Sequence, residues 1–186
     1  MDLSTVELEP IQSQFLELYR SATHIQAFED GIVYGSLQTE TYARAVFECA
    51  SELYPVSPVD IEAAVQTRLA RRELIDGERQ FEIIMSARAL VADVAGAAVL
   101  REQLQYLLEC MERPGLTLGV IPTGTLLRAH WGFCIVNSVR VEVDQYNGPL
   151  TVTDVDQVRR FRETFHRVRR TAVFGDDARA LISGLL

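Results

Sequence analysis

The sequence predicts an α+β domain: N-terminal helices, then a small, mostly antiparallel sheet, then C-terminal helices. Three observations carry that expectation. Apolar residues recur at helical spacing through much of residues 10–76, short β-branched runs cluster between residues 116 and 143, and helical spacing returns from residue 153. The 186 residues are 48% apolar, enough for one sizeable core. No low-complexity linker or internal repeat divides them, so residues 1–186 are read as one domain.

Residues 10–28 read as the first helix, with Pro10 in its first turn and Ile11, Phe15, Leu18 and Ala22 on one face. Gly31 and Gly35 punctuate its end. Helical spacing resumes through Tyr42, Ala45 and Val46, with Thr39 as N-cap. Residues 57–76 open on Ser57-Pro58, a cap and a first-turn proline, and Ile61, Val65 and Leu69 then line one side. FEIIM (81–85) reads as a strand. Residues 97–113 form the cleanest helix, with Leu100, Leu104, Leu107, Leu108 and Met111 on one face and Arg113-Pro114-Gly115 as its stop.

LTLGVI, WGFCIV and VRVEV follow as strands. In the last, Val139, Val141 and Val143 alternate with Arg140, Glu142 and Asp144, the pattern of a half-buried strand. Asn137-Ser138 predicts a hairpin turn and Asn147-Gly148-Pro149 a second turn. A helix from Thr153, capped by a Thr153/Asp156 pair, would bury Val155, Val158, Phe161, Phe165 and Val168. Residues 176–185 form the last helix.

Composition excludes several chemistries. All eighteen basic residues are arginine, so no ε-amine exists for a Schiff base, a pyridoxal-phosphate aldimine or a Walker loop. Gly119 to Gly124 has phosphate-loop spacing, but Thr125-Leu126 follows and Pro122 removes an amide, so it reads as a turn after a strand. His24, His130 and His166 have no second ligand at metal spacing, and no cofactor is expected. Cys49, Cys110 and Cys134 are unpaired in spacing and read as reduced thiols of a cytoplasmic protein. No apolar run is long enough to span a bilayer, so no membrane role is expected.

The net charge of −8 disfavours autonomous nucleic-acid binding. The charge is also unevenly placed. Residues 1–62 hold eleven acids against Arg20 and Arg44, whereas residues 156–172 hold six arginines against Asp156 and Glu163. Arg159, Arg162, His166 and Arg169 make one basic stripe, either a docking face for an acidic partner (including another copy, as a homodimer) or a solvated surface in a chain without lysine. Arg68, Arg71 and Arg72 form a smaller cluster suited to salt bridges or to an anion. His130-Trp131 follows a Gly/Thr-rich loop and either contacts a ligand or merely covers the core edge. Glu142 and Asp144 share a strand face, as paired acids would for proton transfer; the bland alternative is solvated residues on an outer face.

LQTETYARAVF (37–47) resembles the LQT-x-x-YAR signature of a domain of unknown function common in actinobacterial Xre-type, antitoxin-like regulators, where it follows a helix-turn-helix. VQTRLARRELI (65–75), ALVADVAGAAVLREQLQYLLE (89–109), LTLGVIP (116–122) and the 154–185 tail resemble further segments of that family in order. The sequence departs from the pattern at Tyr34 and Ser36, in place of proline and leucine around Gly35, and at Ser86, in place of glutamate. Only a dozen or so residues precede the resemblance, too few for a helix-turn-helix, so it implies a stand-alone effector domain. Such a domain would bind a small molecule or a regulator protein, with Ser36, Gln38, Tyr42, Arg68, Arg72, His130 and Trp131 as candidate ligand contacts. The alternative is a cofactor-independent cyclase, isomerase, dehydratase or hydrolase of specialised metabolism, for which Tyr34, Tyr42, His130 and Glu142 are the candidate proton donors. A third reading is a structural dimer that occupies a partner's interface.

Overall fold

The structure, a computed structural model, describes residues 7–53, 56–125, 131–144 and 149–186. Helix α1 (Leu8–Arg20) starts where the Asp60 carboxylate accepts from the Leu8 and Glu9 amides at 2.7 and 3.1 Å, so a neighbouring helix supplies its cap. It ends at Ser21, whose hydroxyl donates to the Leu18 carbonyl. Strand β1 (His24–Glu29) follows directly. The helix expected over residues 10–28 is therefore eight residues too long at its C-terminal end, and those residues include a central strand.

A 3-10 turn (Gly35–Leu37) leads into α2 (Glu40–Leu53), where the Thr39 hydroxyl accepts from the Tyr42 amide as expected of a cap. Helix α3 (Pro58–Arg72) is capped by Ser57 as its sequence predicts. Then come β2 (Gln80–Ser86), a second 3-10 turn (Ala89–Val91), α4 (Ala97–Cys110), β3 (Leu116–Ile121), β4 (Phe133–Val136), β5 (Arg140–Val143) and β6 (Leu150–Val152). Helix α5 (Val155–Arg169), β7 (Val173–Phe174) and α6 (Gly175–Ser183) complete the chain.

The strands form one seven-stranded sheet among the described residues, in the order β6-β5-β4-β1-β2-β3-β7. β1, β2 and β3 run parallel at its centre; the flanking pairs are antiparallel. The class is α+β overall, but the expected small, mostly antiparallel sheet is corrected to a large mixed one. The reason is topological. Once His24–Glu29 is a strand, α2 and α3 become the crossover from β1 to β2, and α4 the crossover from β2 to β3, which parallel pairing requires.

Alternation sorts the side chains into two cores. Ile25, Ala27, Phe81, Ile83, Met85, Leu118, Val120, Cys134 and Val136 face α1, α4 and α6. Phe28, Ile84, Ile121, Phe133, Ile135 and Val141 face α5 through its Val158, Phe165 and Val168. A satellite of Phe47, Ile61, Ala64 and Val65 joins α2 to α3. Two details of α5 differ from expectation. Asp154, not the Thr153/Asp156 pair, caps it through the Gln157 amide at 3.0 Å, and Val155 is 79% exposed instead of buried.

The β4–β5 hairpin turns at Asn137 and Ser138, both with positive φ, as the paired turn needs. The Asn137 side-chain oxygen also accepts from the Thr23 and His24 amides, tying the hairpin to the start of β1. Among the described residues no helix is long and apolar enough to cross a membrane. The turn expected at Asn147-Gly148-Pro149 falls largely outside the described residues.

A buried acid beside two arginines is the candidate functional site

The site is built where β1, β4 and β5 end against α3 and the Gly35 turn. Continuing the β1–β4 register one step past Phe28↔Phe133 sets Glu29 opposite Gly132; continuing β4–β5 past Cys134↔Glu142 sets Gly132 opposite Asp144. Glu29, Gly132 and Asp144 thus share a row on the α1 and α3 side of the sheet. Gly132 keeps the row open: a Cβ there would lie 2.5 Å from the Glu29 Oε2 atom. The Glu29 carboxyl fills that space.

Burial, then the Asp144 charge, pushes the Glu29 carboxyl up from 4.5 to about 8, against the opposing pull of Arg68 and Arg71. Burial also lowers Arg68 to about 9, reinforced by the neighbouring Arg71 charge. Glu29 and Arg68 are half-buried, so each keeps part of its surface accessible.

The Gly35-Ser36 bend exists to hold an arginine. Arg71 is only 6% exposed, and its Nε donates to the Ser36 hydroxyl at 3.1 Å. A Cβ on Gly35 would meet Arg71 Nη2 at 2.5 Å, so glycine is what lets the guanidinium lie against the backbone. The guanidinium also sits over the rings of Phe15 and Tyr19. Gln38 extends the scaffold: its amide donates to the Val33 carbonyl, and its oxygen accepts from Arg68 at 2.7 Å. The Arg68 Nε donates to Gln12 of α1, and its guanidinium covers Phe47.

Behind the arginines, Tyr19 and Tyr34 share a short hydroxyl–hydroxyl hydrogen bond, and the Tyr19 hydroxyl lies 3.2 Å from the Cys134 sulfur. Burial raises both phenols well above their ordinary value and lifts the Cys134 thiol to about 11. These three groups therefore stay protonated at neutral pH and form a neutral hydrogen-bonding wall. Asp30, next to Glu29 in sequence, pairs through Oδ2 with Arg88 at 2.9 Å, while its buried Oδ1 has no partner among the described residues.

Of the residues singled out in the sequence, Tyr34, Ser36, Gln38 and Arg68 come together here. Tyr42 is buried on α2 and accepts from the Val33 amide at 3.4 Å, bracing the loop before Tyr34. Arg72 points elsewhere, onto Tyr106 and Glu73. Glu142 is not a solvated outer-face residue. It is 3% exposed, clamped by Arg140 and by the Thr151 hydroxyl at 2.9 Å, and it neighbours Cys134 in the row behind Glu29. Trp131 is 81% exposed and does not cover the core edge; His130 lies outside the described residues. On α5, Arg159 pairs with Asp156 and Arg169 with Glu82, whereas Arg162 and His166 are exposed.

Sequence reasoning missed Glu29, the centre of the site. Its signal was the alternation Ile25-x-Ala27-x-Glu29, hidden because Ile25 and Phe28 also fit a helical face. No group of three or more metal-ligating side chains occurs among the described residues.

An α+β body whose mixed sheet ends on a buried acid and two arginines defines the architecture. The family model described as "Domain of unknown function (DUF5753)" matches residues 12–184, and the chain belongs to that family. No curated protein matches. Among solved structures, the chain is similar to a phospholipase D family member, Nuc from Salmonella typhimurium, at 12% identity and a TM-score of 0.46, over 88% of this chain and 90% of that one.

Proposed function

We propose that this protein is an effector domain that binds a small molecule at the Glu29–Arg68–Arg71 cluster and acts on transcription indirectly, through an Xre-type, antitoxin-like regulator of the actinobacterial kind its signature resembles. The observation that supports it is a cluster of charged side chains, deep among α1, α3 and β1, that remains partly accessible. Two guanidiniums and a carboxyl so placed carry a desolvation cost that a ligand's own polar groups would offset. The regulator would dock on the basic stripe of α5, where Arg162 and His166 are exposed. The test is a thermal-shift screen of a metabolite library on the wild-type protein and on Arg68→Gln. Hits that stabilise only the wild type support the reading. A library that stabilises neither protein, together with no calorimetric binding to a cognate regulator, overturns it.

A second reading is favoured by the placing of the Glu29 carboxyl, half-buried over Gly132, where burial and then the Asp144 charge push it up to about 8. A carboxyl poised near neutral pH suits a general acid or base, so the same cluster would serve a cofactor-independent enzyme that cyclises, isomerises, dehydrates or hydrolyses its substrate. Glu29→Gln would then lower turnover by about 10²-fold or more, whereas a binding domain would show no turnover to lose.

A further inference from the structure

Resting on the reading that a regulator docks on α5, we propose that the bare half of the sheet beside α5 is a groove that receives an acidic segment of that partner protein. On this face the apolar cover of α5 and Phe174 begins at the row Phe28, Ile84 and Gly119. Phe174 is seated on Gly119, where a Cβ would lie 2.5 Å from its ring. Toward the amino ends of the strands, Gln26, Glu82 and Thr117 stand in one row across β1, β2 and β3, with His24 and Gln80 in the next. None of these five is buried, and Gln80 and Thr117 are exposed. An open groove of about 420 Å³ runs there, lined by His24, Gln80, Phe81, Glu82 and Thr117. Parallel strands are as a rule covered on both faces, so a bare half-face at the parallel centre of a sheet is where a missing layer belongs.

Charge decides the occupant. Glu82 is the one acid among the lining residues, and both its oxygens are engaged: Oε2 accepts from Gln26 Nε2 at 3.0 Å and Oε1 from Arg169 Nε. Arg169 also stacks on Phe174, its guanidinium carbon 5.1 Å from the ring centroid, and so forms a wall of the groove. That contact shows which flank of α5 borders the bare half-face. Arg162 and His166 lie on the same flank at helical spacing from Arg169, and both are exposed. A floor whose own acid is already met is therefore bordered by a basic rim. An acidic segment laid along α5 sets carboxylates against that rim and its remaining polar groups against Gln80 and Thr117, each of which both donates and accepts. A symmetric pair of copies would instead set two basic stripes against each other.

The experiment follows the backbone amides of His24, Glu82 and Thr117 by nitrogen–proton NMR while the protein is titrated with oligoglutamate or with oligoglutamine of the same length. It is run at about 50 mM salt, where surface charges are screened less than at physiological strength. Oligoglutamate is expected to shift these amides saturably, and oligoglutamine to bind at least about tenfold more weakly. Arg162→Glu/His166→Glu removes the rim charge and leaves the floor; Gln80→Trp fills the groove and leaves the charge. Each should weaken oligoglutamate binding by at least about tenfold. Thr117→Glu, at an exposed position, sets a like charge in the floor and should do the same, so the test does not hang on the tryptophan variant folding. Oligoglutamate that binds with the three amides unmoved, indifferent to Gln80→Trp and Thr117→Glu, would overturn the groove while leaving α5 as a docking face. Oligoglutamine binding as tightly would overturn the acidic assignment. The same amide shifts on concentrating the protein alone would give the groove to a second copy and overturn the partner. No binding of either peptide would overturn the proposal outright, with the metabolite screen still deciding the small-molecule reading.

Discussion

At Glu29, one missing atom and one misplaced charge set the behaviour of the site. Gly132 lacks the Cβ that would occupy the carboxyl's space, and burial beside Asp144 holds the acid's proton to about 8. The consequence for stability has a definite sign. The folded state keeps this proton after the unfolded chain has released it at about 4.5, so the group's contribution falls as pH rises from there to about 8 and is flat above. The full shift would correspond to about 5 kcal/mol, but the carboxyl keeps solvent contact, and a loss of about 2 kcal/mol is expected. Urea midpoints of the wild type and Glu29→Gln at about pH 5 and pH 8.5 should diverge, the variant losing less; parallel falls would refute the assignment. Gly35 offers a second residue-scale test. Gly35→Ala drives a methyl group into Arg71 Nη2, so either the guanidinium leaves Ser36 or the turn opens, at about 1–3 kcal/mol. A stability loss without movement of the Arg71 Nε–H signal would contradict that account.

Among the elements, the junction of the Gly35 turn with α2 hangs on one side chain from α4. Gln103 is fully buried; its oxygen accepts from the Thr39 amide at 2.8 Å and its amide donates to the Leu37 carbonyl at 2.7 Å. Gln103→Leu keeps the volume but strands a buried donor and a buried acceptor, which costs about 2–4 kcal/mol. Hydrogen exchange should find that loss concentrated at Leu37–Tyr42; a uniform loss across the sheet would argue against a local staple. Elements with their own punctuation were legible from sequence. Ser57-Pro58 opens α3, Thr39 caps α2, and Asn137-Ser138 turns the hairpin. His24–Glu29 was not, because six residues with apolar positions at 25, 27 and 28 satisfy either period. What makes them a strand is tertiary: Phe81, Ile83 and Met85 on one side and Val136 and Cys134 on the other. That single ambiguity concealed the parallel centre of the sheet and Glu29 with it. The Arg68–Gln38 contact was half legible, both residues being singled out but not their pairing across thirty positions.

For the molecule as a whole, the question is which partners its field admits. The sheet separates the acidic helices α1 and α2 from the basic α5, so a chain of net charge −8 still presents one arginine-rich side. Of the six arginines between residues 156 and 172, Arg159 and Arg169 are spent on Asp156 and Glu82, leaving Arg160, Arg162, Arg167 and Arg170 without an ion pair among the described residues. Four phosphate contacts would give duplex binding a log–log salt slope of about −3.6, and affinity would fall about 50-fold between about 50 and 150 mM salt. The remainder of the protein repels the same backbone, and at about 8 Å the screening length in physiological salt leaves only groups on α5 itself to attract it. Fluorescence anisotropy with a labelled DNA duplex should therefore detect weak binding at about 20 mM salt, lost in an Arg160→Glu/Arg162→Glu variant, and none at about 150 mM. Binding that persists at the higher salt, or a slope much steeper than four contacts give, would mean that a larger basic surface operates and that nucleic acid, not an acidic protein, is what α5 meets.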